Sequence, residues 1–219
     1  MSTTREKPTG ADRTTLPAAA FARVDEGSDA LFYAAPRLVT HVDERAIAAV
    51  TELYREVLPA EGQVLDLMSS WVSHLPPEVA YREVVGLGIN ATELAANPRL
   101  SRWLVQDLNR DPVLPLADDA FDGATICVSV QYLQNPVAVL SEIRRVLRPS
   151  SPLVITFSNR CFPTKAVAIW TMLPPAEQAK LVGLYMRDAG FDLVEVRELL
   201  RPPGDPLWAV LGSATSSDR

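Results

Sequence analysis

The chain has 219 residues, 47% of them apolar, and its 27 acidic and 21 basic side chains leave a formal charge of −6. Such a length suits one domain with appendages, and the apolar content is too high and too evenly spread for a disordered chain. An acidic balance without basic–aromatic runs argues against a nucleic-acid partner, and no stretch approaches the about 18 apolar residues that span a membrane.

Residues 1–28, rich in Thr, Ala, Pro, Gly and charge, read as a mobile arm without the apolar core of a signal peptide. Residues 213–219 read as a frayed tail, which leaves a single domain over 29–212. The spacing of Ile47, Val50, Leu53, Tyr54, Val57 and Leu58 predicts a helix over 43–58, capped by Asp43 and ended by Pro59. The short apolar runs QVLDLM and REVVGLGI follow as strands buried on both faces. Asn90 to Glu93 have a capping-box pattern for a helix that closes at Asn97-Pro98. RWLVQD and FDGATICVSV are the third and fourth strands. Asn135 caps the next helix, with Pro136 at its first position. PLVITFSN is the fifth strand. A helical region from about 163, broken near Pro174-Pro175, runs to Asp188. Then FDLVEVRELL and PLWAVLG close the chain as an antiparallel pair.

Five apolar strands alternating with helices predict an open α/β sheet, parallel in its main part and covered on both faces. Ligands of such sheets bind beyond the carboxyl ends of the strands. The residues there are Asp66, Asp107, Ser129 with Gln131 and Tyr132, and Asn159 with Arg160 and Lys165.

These ends carry a resemblance. The ordered set Asp107, Leu114-Pro115, Phe121-Asp122 and Val146-Leu147-Arg148-Pro149, with VLDLMSS upstream, is similar to the central part of small-molecule class I S-adenosylmethionine-dependent methyltransferases. It covers residues 60 to 160 or so and resembles the type 11-like members. It implies a Rossmann-like, seven-stranded, mostly parallel sheet with an antiparallel closing strand. The implied cofactor is S-adenosyl-L-methionine and the implied partner a small-molecule methyl acceptor, without membrane or nucleic acid. On this resemblance Asp66 stands near the methionine portion of the cofactor. Asp107 accepts from the adenine amino group, a choice that suits a carboxylate because it cannot donate. The Leu108 amide meets the adenine ring, and apolar residues around Leu116 close over it. Ser129 joins the cofactor set.

The sequence departs from the family in two places. The glycine-rich turn after the first acid is Met68-Ser69-Ser70-Trp71-Val72 here, so Ser69 and Ser70 become the cofactor contacts. Gly88 stands where the family has the acid that holds the ribose hydroxyls, and Asn90 or Glu93 is the available substitute.

Before the first long helix, FYAAPRLVTHVDE holds Tyr33, Arg37 and His41, where related folds cover the substrate mouth. His41 and His74, the chain's two histidines, are the candidate general bases. Tyr33, Arg37, Asn159 and Arg160 are the candidate acceptor-binding residues, with Arg37, His41 and Arg160 expected in one pocket. An arginine fork suits a carboxylate or phosphate. Cys127 and Cys161 form neither a disulfide framework nor a zinc cluster and suit a reducing cytoplasm. The expected reaction is methyl transfer to a small organic molecule in specialised metabolism. A cofactor-binding enzyme of another reaction type, or a non-catalytic binding protein on the same fold, is the alternative reading.

Overall fold

The computed structural model describes residues 16–213. The expectations for residues 1–15 and 214–219 lie outside the described residues. Seven strands form one sheet: β1 (Gln63–Leu67), β2 (Glu83–Gly88), β3 (Arg102–Val105), β4 (Gly123–Cys127), β5 (Leu153–Ser158), β6 (Leu193–Leu200) and β7 (Leu207–Ser213). Their order is β3-β2-β1-β4-β5-β7-β6. β7 runs antiparallel to both neighbours, and every other pairing is parallel. The Rossmann-like sheet with an antiparallel closing strand is thus the observed fold.

Six α-helices accompany the sheet: α1 (Asp29–Phe32), α2 (Glu44–Val57), α3 (Ala91–Ala96), α4 (Pro136–Val146), α5 (Ala168–Met172) and α6 (Pro175–Asp188). Side chains alternate across each strand, so neighbouring residues feed different cores. Leu65, Val85 and Ile155 join Val139, Leu140 and Ile143 of α4 and Val182 and Met186 of α6. Val64, Val84 and Val154 pack on the opposite face, against Val50, Leu53 and Tyr54 of α2. Burying each such large side chain contributes about 1.5–3 kcal/mol, which explains why these strands read as unbroken apolar runs.

The caps follow the sequence closely. Asp43 accepts from the Ala46 amide at 2.8 Å and Asn135 from Ala138 at 3.4 Å. Gly190, just past α6, has φ +92°, a conformation open to glycine.

Residues 16–28, within the expected arm, are held as a strap. A 3-10 turn spans Ala18–Phe21. The Asp25 amide donates to Thr164 O at 2.8 Å, the Ala168 amide donates to Ala22 O at 2.8 Å, and Arg23 pairs with Asp29 at 2.8 Å. The small and polar residues that look uncommitted in sequence are fixed here by long-range backbone bonds and buried charge.

Candidate functional site

The strand order turns at β1 and β4: β2 and β3 extend to one side, β5 to the other. A cavity of about 350 Å³ opens at the carboxyl edge of these strands. This is where a doubly wound sheet leaves room between diverging loops, and the volume lies within the about 300–1,000 Å³ of small-molecule sites. Its wall includes Asp66, Ser69, Ser70, His74, Asp107, Leu108, Ser129, Tyr33, His41 and Arg160 of the expected set. Segments far apart in sequence meet because each directly follows a strand or precedes α2.

Asp66 sits in β1 and is 3% exposed. Its Oδ2 accepts from the Ser69 and Ser73 hydroxyls at 2.6 Å each, and its Oδ1 from Thr125 Oγ1 at 3.0 Å. Burial raises its pKa, and the three hydroxyl donors offset part of that rise. The serines therefore do a different job from the glycines they replace: Ser69 turns inward to the buried Asp66, and Ser70 donates to Glu93. Asn97 Nδ2 ties the turn further, donating to Ser70 O at 2.8 Å and to Ser73 Oγ at 2.9 Å.

Gly88 ends β2 beneath this turn. A Cβ there would lie 2.2 Å from the Ser69 carbonyl oxygen. The Ser69 amide donates to Leu87 O at 2.9 Å, which seats the turn directly on the strand end. The close approach that a glycine permits has moved from the turn to β2.

Asp107 follows β3. Its Oδ1 accepts from the Asn109 amide at 3.0 Å, and Leu108 beside it is 5% exposed. Asn109 then bridges elements, its Nδ2 donating to Asp29 Oδ2 and to Tyr132 O, both at 2.9 Å. Two strand-end residues carry backbone strain: Met68 at φ 53° and the β-branched Val128 at φ 50°, both on the cavity wall. Such angles persist only where the surroundings over-determine them, and they cluster at functional sites.

The mouth is aromatic. Phe162 is its hub, with ring centroids 5.4 Å from Phe32, 5.5 Å from His41 and 5.9 Å from Tyr132. The Phe162 amide donates to Tyr132 Oη at 2.9 Å. Burial lowers the pKa of His41 and of His74. Glu93 partly offsets the fall at His41, and Arg37 adds to it; the neighbouring His41 adds to the fall at His74. Both imidazoles are thereby kept neutral at pH 7, with a ring nitrogen able to accept a proton.

Several expected residues do not reach the cavity wall. Asn90 spends its whole amide elsewhere: Oδ1 accepts from Thr92 and Glu93 amides, and Nδ2 donates to Tyr33 O at 2.7 Å and to Ala34 O. It fastens the mouth segment to α3. Arg37 lies behind the wall, its guanidinium 4.8 Å from the Phe32 ring centre and 5.3 Å from that of Phe162. Thus His41 and Arg160 share the cavity without Arg37. Asn159 is exposed and accepts from Ser158 Oγ at 3.2 Å. Arg160 reaches the wall with its fork on Asp205 at 2.7 Å. Lys165 points away from any anion site: it is wholly buried between Asp25 and Asp29, 3.1 Å from each. Leu116 packs on the core rather than on the cavity.

Sequence reasoning missed Asp29, Asn109 and Phe162, all on the wall. Phe162 stands four residues after β5, between Arg160 and Lys165, which were singled out at that strand end. Trp71, next after Ser70 in the turn that follows β1, lines the wall and donates from Nε1 to Val39 O at 3.0 Å.

The residues present fit the implied cofactor. Ser129 Oγ is buried on the wall with no hydrogen-bond partner, as a hydroxyl awaiting a polar ligand would be. Asp66 and Asp107 stand at the ends of β1 and β3, on either side of β2, and Gly88 leaves a cradle between them.

Comparison with known proteins gives the same answer. A family model described as a methyltransferase domain matches residues 68–155. Over that stretch the chain is similar to methyltransferases, and its sheet has the class I S-adenosylmethionine-dependent methyltransferase fold. It is 35% identical over 98 residues to an O-methyltransferase of Pyrenophora dematioidea, covering 41% of this chain and 37% of that protein. The alignments with its curated relatives thus span little more than a third of those proteins. Among solved structures, the 4+2 cyclase SpnF has a TM-score of 0.62 at 15% identity, over 83% of this chain and 89% of its own. A methyltransferase from Aquifex aeolicus has a TM-score of 0.54 at 20% identity, over 78% and 89%. At these identities the structures speak for the fold alone.

Proposed function

We propose that this class I chain transfers a methyl group from S-adenosyl-L-methionine to an oxygen of a small organic molecule. The observation that carries the reading is the convergence of Asp66, Asp107, Ser129 and both histidines on one cavity at the switch in strand order. The relatives named as O-methyltransferases support oxygen as the nucleophile, and the aromatic mouth supports a flat, largely apolar acceptor.

Asp107 would accept from the adenine amino group, with the Leu108 amide against the ring. Ser129 and the turn at Ser69-Ser70 would face the methionine portion near Asp66. The bound cofactor supplies an electrophilic methyl on a good leaving group. The chain's own contribution is alignment and exclusion of water. Tyr33, Phe162 and Arg160 would hold the acceptor, and neutral His41 or His74 would take the hydroxyl proton as the nucleophile attacks. The two free cysteines are consistent with work in a reducing cytoplasm.

Titration calorimetry with S-adenosylmethionine and its demethylated product tests the reading. Binding of both is expected. A folded protein that gives no heat with either at millimolar concentration overturns it.

A further inference from the structure

We infer that Glu93 is the residue that holds the ribose hydroxyls of the bound cofactor, displaced by one helical turn from the strand end where an acid would otherwise stand. The inference rests on the cofactor reading above and deepens it.

In the sheet, β2 lies between β3 and β1. Whatever follows β2 therefore faces the middle of a ligand whose ends lie at Asp107 and Asp66. An acid at the end of β2 itself is excluded. A Cβ on Gly88 would meet the Ser69 carbonyl oxygen at 2.2 Å and Leu94 Cδ2 at 3.1 Å. The carbonyl is backbone, fixed by the Ser69 amide on Leu87 O, so it cannot yield to a side chain. Asn90 is excluded as well, because it caps α3 and ties down Tyr33 and Ala34 with the same amide.

Glu93 remains. It is 8% exposed and lines the cavity. It does not complete the capping box that its position in sequence suggests. Instead its Oε2 accepts from Ser70 Oγ at 2.6 Å and its Oε1 from the Arg37 amide at 2.7 Å. A carboxylate offers about four acceptor sites, so each oxygen retains capacity for a further donor. Two donors from different segments fix the carboxylate without exhausting it, which is the arrangement a vicinal diol needs. The Ser70 hydroxyl acquires a function too: it aims the acid from the turn that lost its glycines.

The test compares S-adenosylhomocysteine with its 2′,3′-dideoxy analogue by titration calorimetry. The wild type is expected to bind the dideoxy analogue at least about tenfold more weakly, the size of one or two lost charged hydrogen bonds. Glu93→Gln keeps the side-chain shape and removes the charge, and Glu93→Asp keeps the charge but withdraws it by one methylene. Each variant is expected to bind S-adenosylhomocysteine more weakly and to discriminate between the two ligands by less than about threefold. If one variant fails to fold by circular dichroism, the other decides. If neither folds, the wild type is titrated with the separate 2′-deoxy and 3′-deoxy analogues: a loss with each supports an acceptor shared by both hydroxyls, and a loss with only one overturns it. Wild-type protein that binds both original ligands equally, or a folded variant that keeps the full discrimination, overturns the assignment while leaving the cofactor reading intact. No binding of S-adenosylhomocysteine by wild type overturns both.

Discussion

Lys165 Nζ lies 3.1 Å from Asp29 Oδ1, with the lysine wholly buried, and this pair locks the residue 16–28 strap over the carboxyl edge of the sheet. The lysine also donates to Gly27 O at 2.7 Å and pairs with Asp25. Asp29 in turn accepts from Arg23 and Asn109. Removing one member of a buried pair leaves the other uncompensated, at about 3–5 kcal/mol. Lys165→Met, which keeps most of the volume, is expected to cost about 3 kcal/mol, at the low end because Arg23 and Asn109 still serve Asp29. Urea denaturation reads this as a lower midpoint. Burial opposes the charge on Asp29, but its donors prevail and its pKa is lowered. The associated stability is present above the ordinary aspartate value near 3.8 and is lost as pH falls through the lower folded value. The Lys165→Met penalty should therefore be constant from pH 5 to pH 8, roughly, where Asp29 is ionised in both states.

Gly88→Ala tests the seat of the turn. The new Cβ meets backbone at 2.2 Å, so either the Ser69 turn lifts or β2 shifts. Overpacking of this kind costs about 1–3 kcal/mol or more, and cofactor affinity should fall with it because Ser69 and Ser70 move together. Gly86→Ala is the control. Its nearest obstacle, at 2.4 Å, is the end of the Leu100 side chain, which can rotate away. Thermal unfolding of the two variants side by side checks this, and an equally severe Gly86 variant would show that the contact with Ser69 is not what matters.

The sheet and its caps were legible because they are local. Asp43, Asn135-Pro136 and Gly190 announce their helix ends within a few residues, and the strands read as apolar runs because helices cover both faces. The strand-end rule also picked out Asp66, Asp107 and Ser129, which line the cavity. What escaped was the pairing of polar groups across the chain. Glu93 read as half of a capping box, yet it turns to Ser70 and Arg37, 23 and 56 positions away. Lys165 read as a ligand-side charge after the fifth strand because nothing nearby in sequence shows the buried Asp29 that needs it. Asn90 was a good cap and a poor ribose ligand for one reason: an amide engaged on both sides has nothing left to offer.

Asp107→Ala is expected to weaken S-adenosylmethionine binding by about tenfold to a hundredfold, the cost of about 1–3 kcal/mol for leaving a buried donor unpaired. The loss should be selective for adenine. Binding of the inosine counterpart, whose base presents a carbonyl in place of the amino group, should be poor in the wild type and little changed in the variant. Calorimetry with both ligands provides the measurement. An Asp107 variant with wild-type affinity would move the adenine site elsewhere on the wall.

In the proposed methyl transfer, the two histidines are expected to set the pH dependence. Burial lowers the pKa of each, so the neutral, proton-accepting form persists below the ordinary value near 6.5. With an alcohol or phenol acceptor, kcat/KM should rise with pH through a midpoint below 6.5 or so and be flat above neutrality. Replacing the active base with Gln should lower the rate by about 10²–10⁴ and abolish that acid limb. The other histidine's Gln variant should keep the limb but shift its midpoint upward if the pair interact, since His41 disfavours charge on His74. Stability changes in the same window with a definite sign. A lowered folded-state pKa means that the unfolded chain binds more protons between the two values. Stability therefore increases with pH across that window and is lost as pH falls below 6.5 toward the folded values. A double Gln variant should lose this slope in urea denaturation between about pH 5 and 7 while keeping any slope due to carboxylates at lower pH. If both single Gln variants kept the wild-type acid limb and rate, proton removal by histidine would be ruled out and the acceptor would have to enter already ionised.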